Sequence, residues 1–134
     1  MRHSALFAIL CCLSLVATSC GSPRQFDQPP FKGFDAAGWR QDRLGCKGTR
    51  QAAQAQFERM RLALRGTSQA DLITLLGSAD FTQLADRNER YLIYFLEKGP
   101  QCEKFNAPTT ARAVAVRINA LDFVTQLTYH NGRP

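Results

Sequence analysis

Histidine is scarce in this chain, with 2 in 134 residues, and there is a single tryptophan. His3 sits at the extreme N-terminus, so His130 is the one imidazole in the body of the sequence. No G-x-S-x-G, H-E-x-x-H or phosphate-loop pattern accompanies it. The carboxylates Glu97, Glu103 and Asp122 follow no spacing that would set two of them to acid–base work. Enzymatic chemistry is therefore not expected, and neither is a metal or a cofactor. Acidic side chains are in the minority, 11 against 17 basic ones, for a net charge of +6. A balance of that sign draws polyanions to the surface. Long apolar runs are lacking too. The longest uncharged one, Ala5–Ala17, falls short of the roughly 20 residues that carry a helix across a bilayer, so no transmembrane helix is expected. The length favours one domain.

What is present begins with an address. Met1, Arg2 and His3 form a short positive segment ahead of the Ala5–Ala17 run, the layout of a secretory signal. The run continues into Leu15-Val16-Ala17-Thr18-Ser19-Cys20-Gly21, which resembles the lipobox of bacterial lipoproteins, with Ala17 where that family most often has Leu. The resemblance implies cleavage of residues 1–19, acylation of Cys20 and attachment to a membrane without crossing it. Removing residues 1–19 takes one basic side chain, so 115 residues with net charge +5 remain of the original 134 and +6. Gly21 rather than Asp follows the cysteine, and no acidic run comes after it, which implies an outer-membrane anchor with the folded part in the periplasm. Residues 20–34 hold Pro23, Pro29, Pro30, Gly21 and Gly33 and read as a flexible lipidated tether. Phe26, Phe31 and Phe34 within it either dock on a partner or pack back onto the domain, which is expected over residues 35–134.

After processing, Cys46 and Cys102 are left as an even pair in an oxidising compartment, and a disulfide is the expected reading. The competing readings are a reactive thiol and a zinc site. Zinc would need four ligands, and His130 lies far from either cysteine with no C-x-x-C nearby.

The periodicity changes from helical to strand-like along the chain. Asp35 is placed to cap a short helix to about Arg43, with Phe34 and Trp39 spaced as a hydrophobic staple. Thr49 is expected to cap a longer helix ending near Arg65, with Gly66 as its stop. On it Ala53, Phe57, Met60 and Leu64 make one apolar stripe. Ser68 to Asp71 is a capping box, and Leu72, Leu75 and Leu76 share a face before Gly77. Strands are expected at Phe81–Leu84, Arg90–Leu96, Ala111–Asn119 and Phe123–Tyr129, the last two as a hairpin. The polar loop from Glu97 to Thr110 between them carries Cys102. This order reads as an α+β fold, two or three N-terminal helices packed on one face of a three- to four-stranded antiparallel sheet.

The stretch from Arg65 to Asp80, RGTSQADLITLLGSAD, resembles the G-M-T-x-x-[DE]-[VI]-x-x-L-L-G-x-P-D signature of small outer-membrane lipoproteins of the SmpA/OmlA (BamE-like) type. Thr67 stands for Met and Ala79 for Pro. The segments RYLIYFLEKGPQC and VRINALDFV resemble small lipoproteins of Bacteroidetes-like bacteria that share this layout. The resemblance implies a non-enzymatic adaptor or accessory factor in outer-membrane or envelope assembly, with an envelope protein as partner. The alternative is an inhibitor-like module acting on a periplasmic or extracellular enzyme, because fold alone does not fix function. Exposed aromatics on a sheet face would favour the inhibitor, a basic groove beside the long helix the adaptor.

The segment from Arg40 to Arg65 carries seven basic residues against Asp42 and Glu58, an excess equal to the whole mature net charge. On an unbroken helix Arg50, Arg61 and Arg65 fall within about 60° of one another. This face is either simply solvated or a patch for an anionic lipid or an acidic partner. Nucleic acid is not expected to meet an exported, lipidated chain.

Overall fold

The computed structural model describes residues 26–134. The signal segment 1–19, Cys20 and the first part of the tether lie outside the described residues. Among those described, four α-helices precede four strands: α1 Ala36–Gln41, α2 Thr49–Ala52, α3 Gln54–Arg61, α4 Gln69–Leu76, then β1 Phe81–Leu84, β2 Arg90–Phe95, β3 Arg112–Ile118 and β4 Val124–Asn131. The strands form one antiparallel meander in the order β1-β2-β3-β4. This is the α+β layout expected, with helices before strands. No helix among the described residues is long and apolar enough to cross a membrane.

Local chemistry accounts for most boundaries. The Asp35 carboxylate accepts from the Gly38 N–H at 2.8 Å and caps α1. The Phe34 and Trp39 rings meet at 5.4 Å, closing the staple. Ser68 accepts from the Asp71 N–H at 3.1 Å to cap α4, and Gly77 ends it at φ +79°. The single long helix expected from Thr49 is instead α2, α3 and a 3-10 turn, Leu62–Leu64, broken at Ala53. Thr49 does not cap it. The Asp42 carboxylate does so from outside, accepting from the Lys47 and Arg50 N–H groups at 2.7 and 2.8 Å. The Arg50 N–H is one of the donors which the first helical turn leaves unpaired, and the Lys47 N–H fixes the turn before it.

The main core lies between helices and sheet. Phe57, Met60 and Leu64 supply the apolar stripe, α4 adds Leu72, Leu75 and Leu76, and Val114, Val116 and Ile118 face them from β3. The opposite face of the sheet is also covered. There Ile93, Phe95, Ala113 and Ala115 form a second buried cluster, with Phe81 and Leu44 against it. The loop after β2 lies over this side: Gln101 is buried and donates to the carbonyls of Glu97 and Leu44, and Phe105 stacks on Phe81 at 4.5 Å. Cys102 in the same loop is bonded to Cys46, with 5.7 Å between their Cα atoms. The long polar loop is thus a lid on a sheet that is apolar on both faces.

The N-terminal boundary needs correction. Phe31 belongs to the main core, and its ring meets Phe26 at 5.0 Å. The folded unit therefore begins by Phe26, and residues 26–34 are docked rather than part of a free tether. Burying an aromatic ring offsets the entropy of ordering this short segment.

Candidate functional site

Arg50 separates from the other two arginines of the expected patch. Its side chain is fully buried. Nε donates to the Trp39 carbonyl at 3.1 Å, and Nη1 donates to Asp80 Oδ2 at 2.5 Å and to the Phe95 carbonyl at 3.1 Å. The guanidinium lies between the rings of Trp39 and Tyr94, 5.5 and 5.6 Å from their centroids. Asp80 in turn accepts from the backbone N–H groups of Leu44 and Phe95. Arg50 is therefore a core cation joining α1, α2 and β2, and it is removed from any anionic-partner patch. The physical reason is Asp80: a carboxylate buried among apolar groups must find a cation and donors, and Arg50 at the start of α2 reaches it.

Arg61 and Arg65 do reach the surface together. From α3 and the turn after it they extend to the edge of β4, Arg61 donating to the Leu127 carbonyl at 3.0 Å and Arg65 to the Thr125 carbonyl at 3.2 Å. Between these elements runs a cleft of about 510 Å³, lined among others by Arg61, Leu62, Arg65, Arg117, Gln126 and Thr128. Leu62 is 66% exposed there. A second, more open depression continues past Arg61 towards Gln51, Gln54, Arg112 and Tyr129. Four arginines thus meet two carboxylates along this groove, Glu58 and Glu89. Glu89 pairs with Arg117, and Glu58 with Arg61. Arg65 has no carboxylate partner among the described residues.

Glu58 anchors the open end. The Tyr129 hydroxyl donates to it at 2.6 Å, and Arg61 donates alongside. These hydrogen bonds, Tyr129's first, hold the Glu58 carboxyl below its usual 4.5. Burial, and then the bond to Glu58, push the Tyr129 phenol above its usual 10. The Tyr129 ring also lies near Arg112, whose guanidinium carbon is 4.7 Å from the ring centroid.

Arg112, Arg117 and Tyr129 were not singled out from the sequence. Arg117 left a signal, a charge interrupting the apolar run Ala113–Ile118, but its partner Glu89, 28 positions away, was not legible. His130 is engaged locally, its Nε2 2.8 Å from the Thr128 hydroxyl. Cys20 lies outside the described residues.

No protein-family model, curated protein or solved structure matches the chain.

Proposed function

We propose that the chain is a non-enzymatic, lipid-anchored envelope protein, an adaptor or accessory factor in outer-membrane or envelope assembly. In this reading its lipid is on Cys20, its domain is in the periplasm, and it engages an acidic envelope partner or an anionic lipid. The observation that carries the adaptor reading over the inhibitor-like one is the arginine-lined groove between α3 and β4. An inhibitor-like module would rest on exposed sheet aromatics, and among the described residues the exposed aromatics Phe105 and Phe123 lie off the strands. The Ala17-Thr18-Ser19-Cys20 segment supports the anchor.

The test compares wild type, Cys20→Ser and the pair Arg61→Gln/Arg65→Gln in the native host, by palmitate labelling, fractionation and crosslinked pull-down. Cys20→Ser is expected to lose label and leave the membrane fraction. The arginine pair is expected to stay anchored and to lose the partner. Partner recovery from wild type should fade with added salt, because exposed charges are screened over about 8 Å at physiological ionic strength. Equal labelling of Cys20→Ser overturns the anchor, and recovery indifferent to the arginine pair overturns the site.

A further inference from the structure

The sheet has two open edges, and they differ. β1 has four residues, the short kind of edge that discourages pairing. β4 has eight residues and is walled by α3. Its first residue is already covered, with Gly66 N–H donating to the Val124 carbonyl and Val124 N–H to the Thr67 carbonyl, at 2.8 and 2.9 Å. Thr125 is an extra residue in the register, since Ile118 pairs with Val124 and Arg117 with Gln126. Beyond that bulge the ladder is regular to Asn131.

In an antiparallel ladder the N–H and C=O of one residue point to the same side. The Leu127 carbonyl accepts from Arg61, so Leu127 faces away from β3. By alternation Tyr129 and Asn131 do the same. The Tyr129 N–H and C=O have no partner among the described residues outside the sheet ladder, from which they point away. Among the described residues, the only groups on the edge carbonyls of β4 past its first residue are the side chains of Arg61 and Arg65. These cations sit where the next strand would lie.

We infer that the β4 edge receives an extended, acidic segment of a partner protein as a fifth strand. Its backbone pairs with Leu127–Asn131, and its carboxylates, carried at alternate positions facing α3, meet Arg61 and Arg65. The inference rests on the adaptor reading and deepens it by naming the mode of docking. Main-chain pairing gives such a complex its affinity, and the side chains that flank the groove give it selectivity. Charge complementarity decides the occupant. Four arginines against two carboxylates along the groove favour an acidic strand, and exposed Leu62 offers apolar contact to the residues between. On arrival the strand's own N–H takes over the Leu127 carbonyl, which frees the Arg61 guanidinium for a carboxylate, and Arg65 meets the next one at the bulge.

The experiment titrates the mature, lipidated, 15N-labelled protein in detergent micelles with a capped peptide of alternating Asp and Val. Two controls are run beside it, the same peptide N-methylated at alternate backbone nitrogens and a Lys–Val version. The expected result is amide shifts at Leu127, Tyr129 and Asn131. N-methylation should weaken binding by about tenfold, the equivalent of one or two net hydrogen bonds. The Lys–Val peptide should not bind, and Arg61→Gln/Arg65→Gln should weaken the Asp–Val peptide while leaving the spectrum otherwise folded. Equal binding of the N-methylated peptide overturns strand addition. So does binding of phosphatidylglycerol vesicles alone, or of no probe. If strand addition fails while the crosslinked partner still depends on Arg61 and Arg65, the adaptor reading stands without it. Loss of that dependence removes both.

Discussion

Arg50 and Arg61 have the same side chain in opposite circumstances, and stability measurements separate them. Replacing Arg50 by Met takes the buried cation from Asp80 and leaves only the half-exposed Arg43, 3.5 Å away; breaking a buried pair typically costs 3–5 kcal/mol, and a loss towards the lower end, about 3 kcal/mol, is expected here. Arg61→Gln removes a part-buried bond to the Leu127 carbonyl and the surface pair with Glu58, Arg65→Gln an exposed bond to the Thr125 carbonyl, and each is expected to cost about 1 kcal/mol or less. Urea melts read the difference, and equal losses at all three positions would return Arg50 to the surface. Glu58 and Tyr129 give the groove a pH dependence of defined sign. The Glu58 carboxyl is lowered, so the stability it supplies is present above 4.5 and is lost as pH falls through its lower folded value. The Tyr129 phenol is raised, so its share is present below 10 and is lost as pH climbs past that. Glu58→Gln should flatten the acid limb of a pH–stability profile, and an unchanged limb would mean that the bond contributes nothing.

At the scale of elements, what the sequence made legible was local. The Ser68–Asp71 box, the Gly77 stop and the strand runs each depend on neighbours a few residues apart, and they appear within a residue or two of expectation. The pairing of Cys46 with Cys102 was legible from count and compartment. Two things were not. The 100° count that grouped Arg50 with Arg61 and Arg65 assumed an unbroken helix, whereas the break at Ala53 and the 3-10 turn at Leu62 reset its phase. The partners of Arg50 lie 30 and 45 residues away, beyond any periodicity. The second is where the domain begins: packing of Phe26, Phe31 or Phe34 back onto it was one reading of the sequence, but the Pro-rich composition does not say which ring enters the core, and Phe31 does. Phe31→Ala should lower stability by about 3 kcal/mol, as large-to-small core changes do, measured in the same melts. A surface-like change under about 0.5 kcal/mol would restore the free tether.

For the whole molecule, one bond ties the helical layer to the lid over the far face of the sheet. Cys46 lies between α1 and α2, Cys102 within the lid, and 56 positions separate them. Closing a loop of that length removes about 4 kcal/mol of chain entropy from the unfolded state. Cys46→Ala/Cys102→Ala should lose about that much stability, and a loss below about 1 kcal/mol would show the lid held by Gln101 and Phe105 alone. That scaffold leaves the α3–β4 groove as the charged surface open to a partner. The most direct test of the adaptor claim is photo-crosslinking in the native host from a reactive phenylalanine at Gln126 in the groove, against one at Lys104 on the lid, in the lipidated protein. The account predicts a discrete adduct from position 126 that is absent from position 104 and lost when Arg61 and Arg65 are both Gln. An adduct of equal yield from both positions, or one undiminished by the arginine pair, would contradict it.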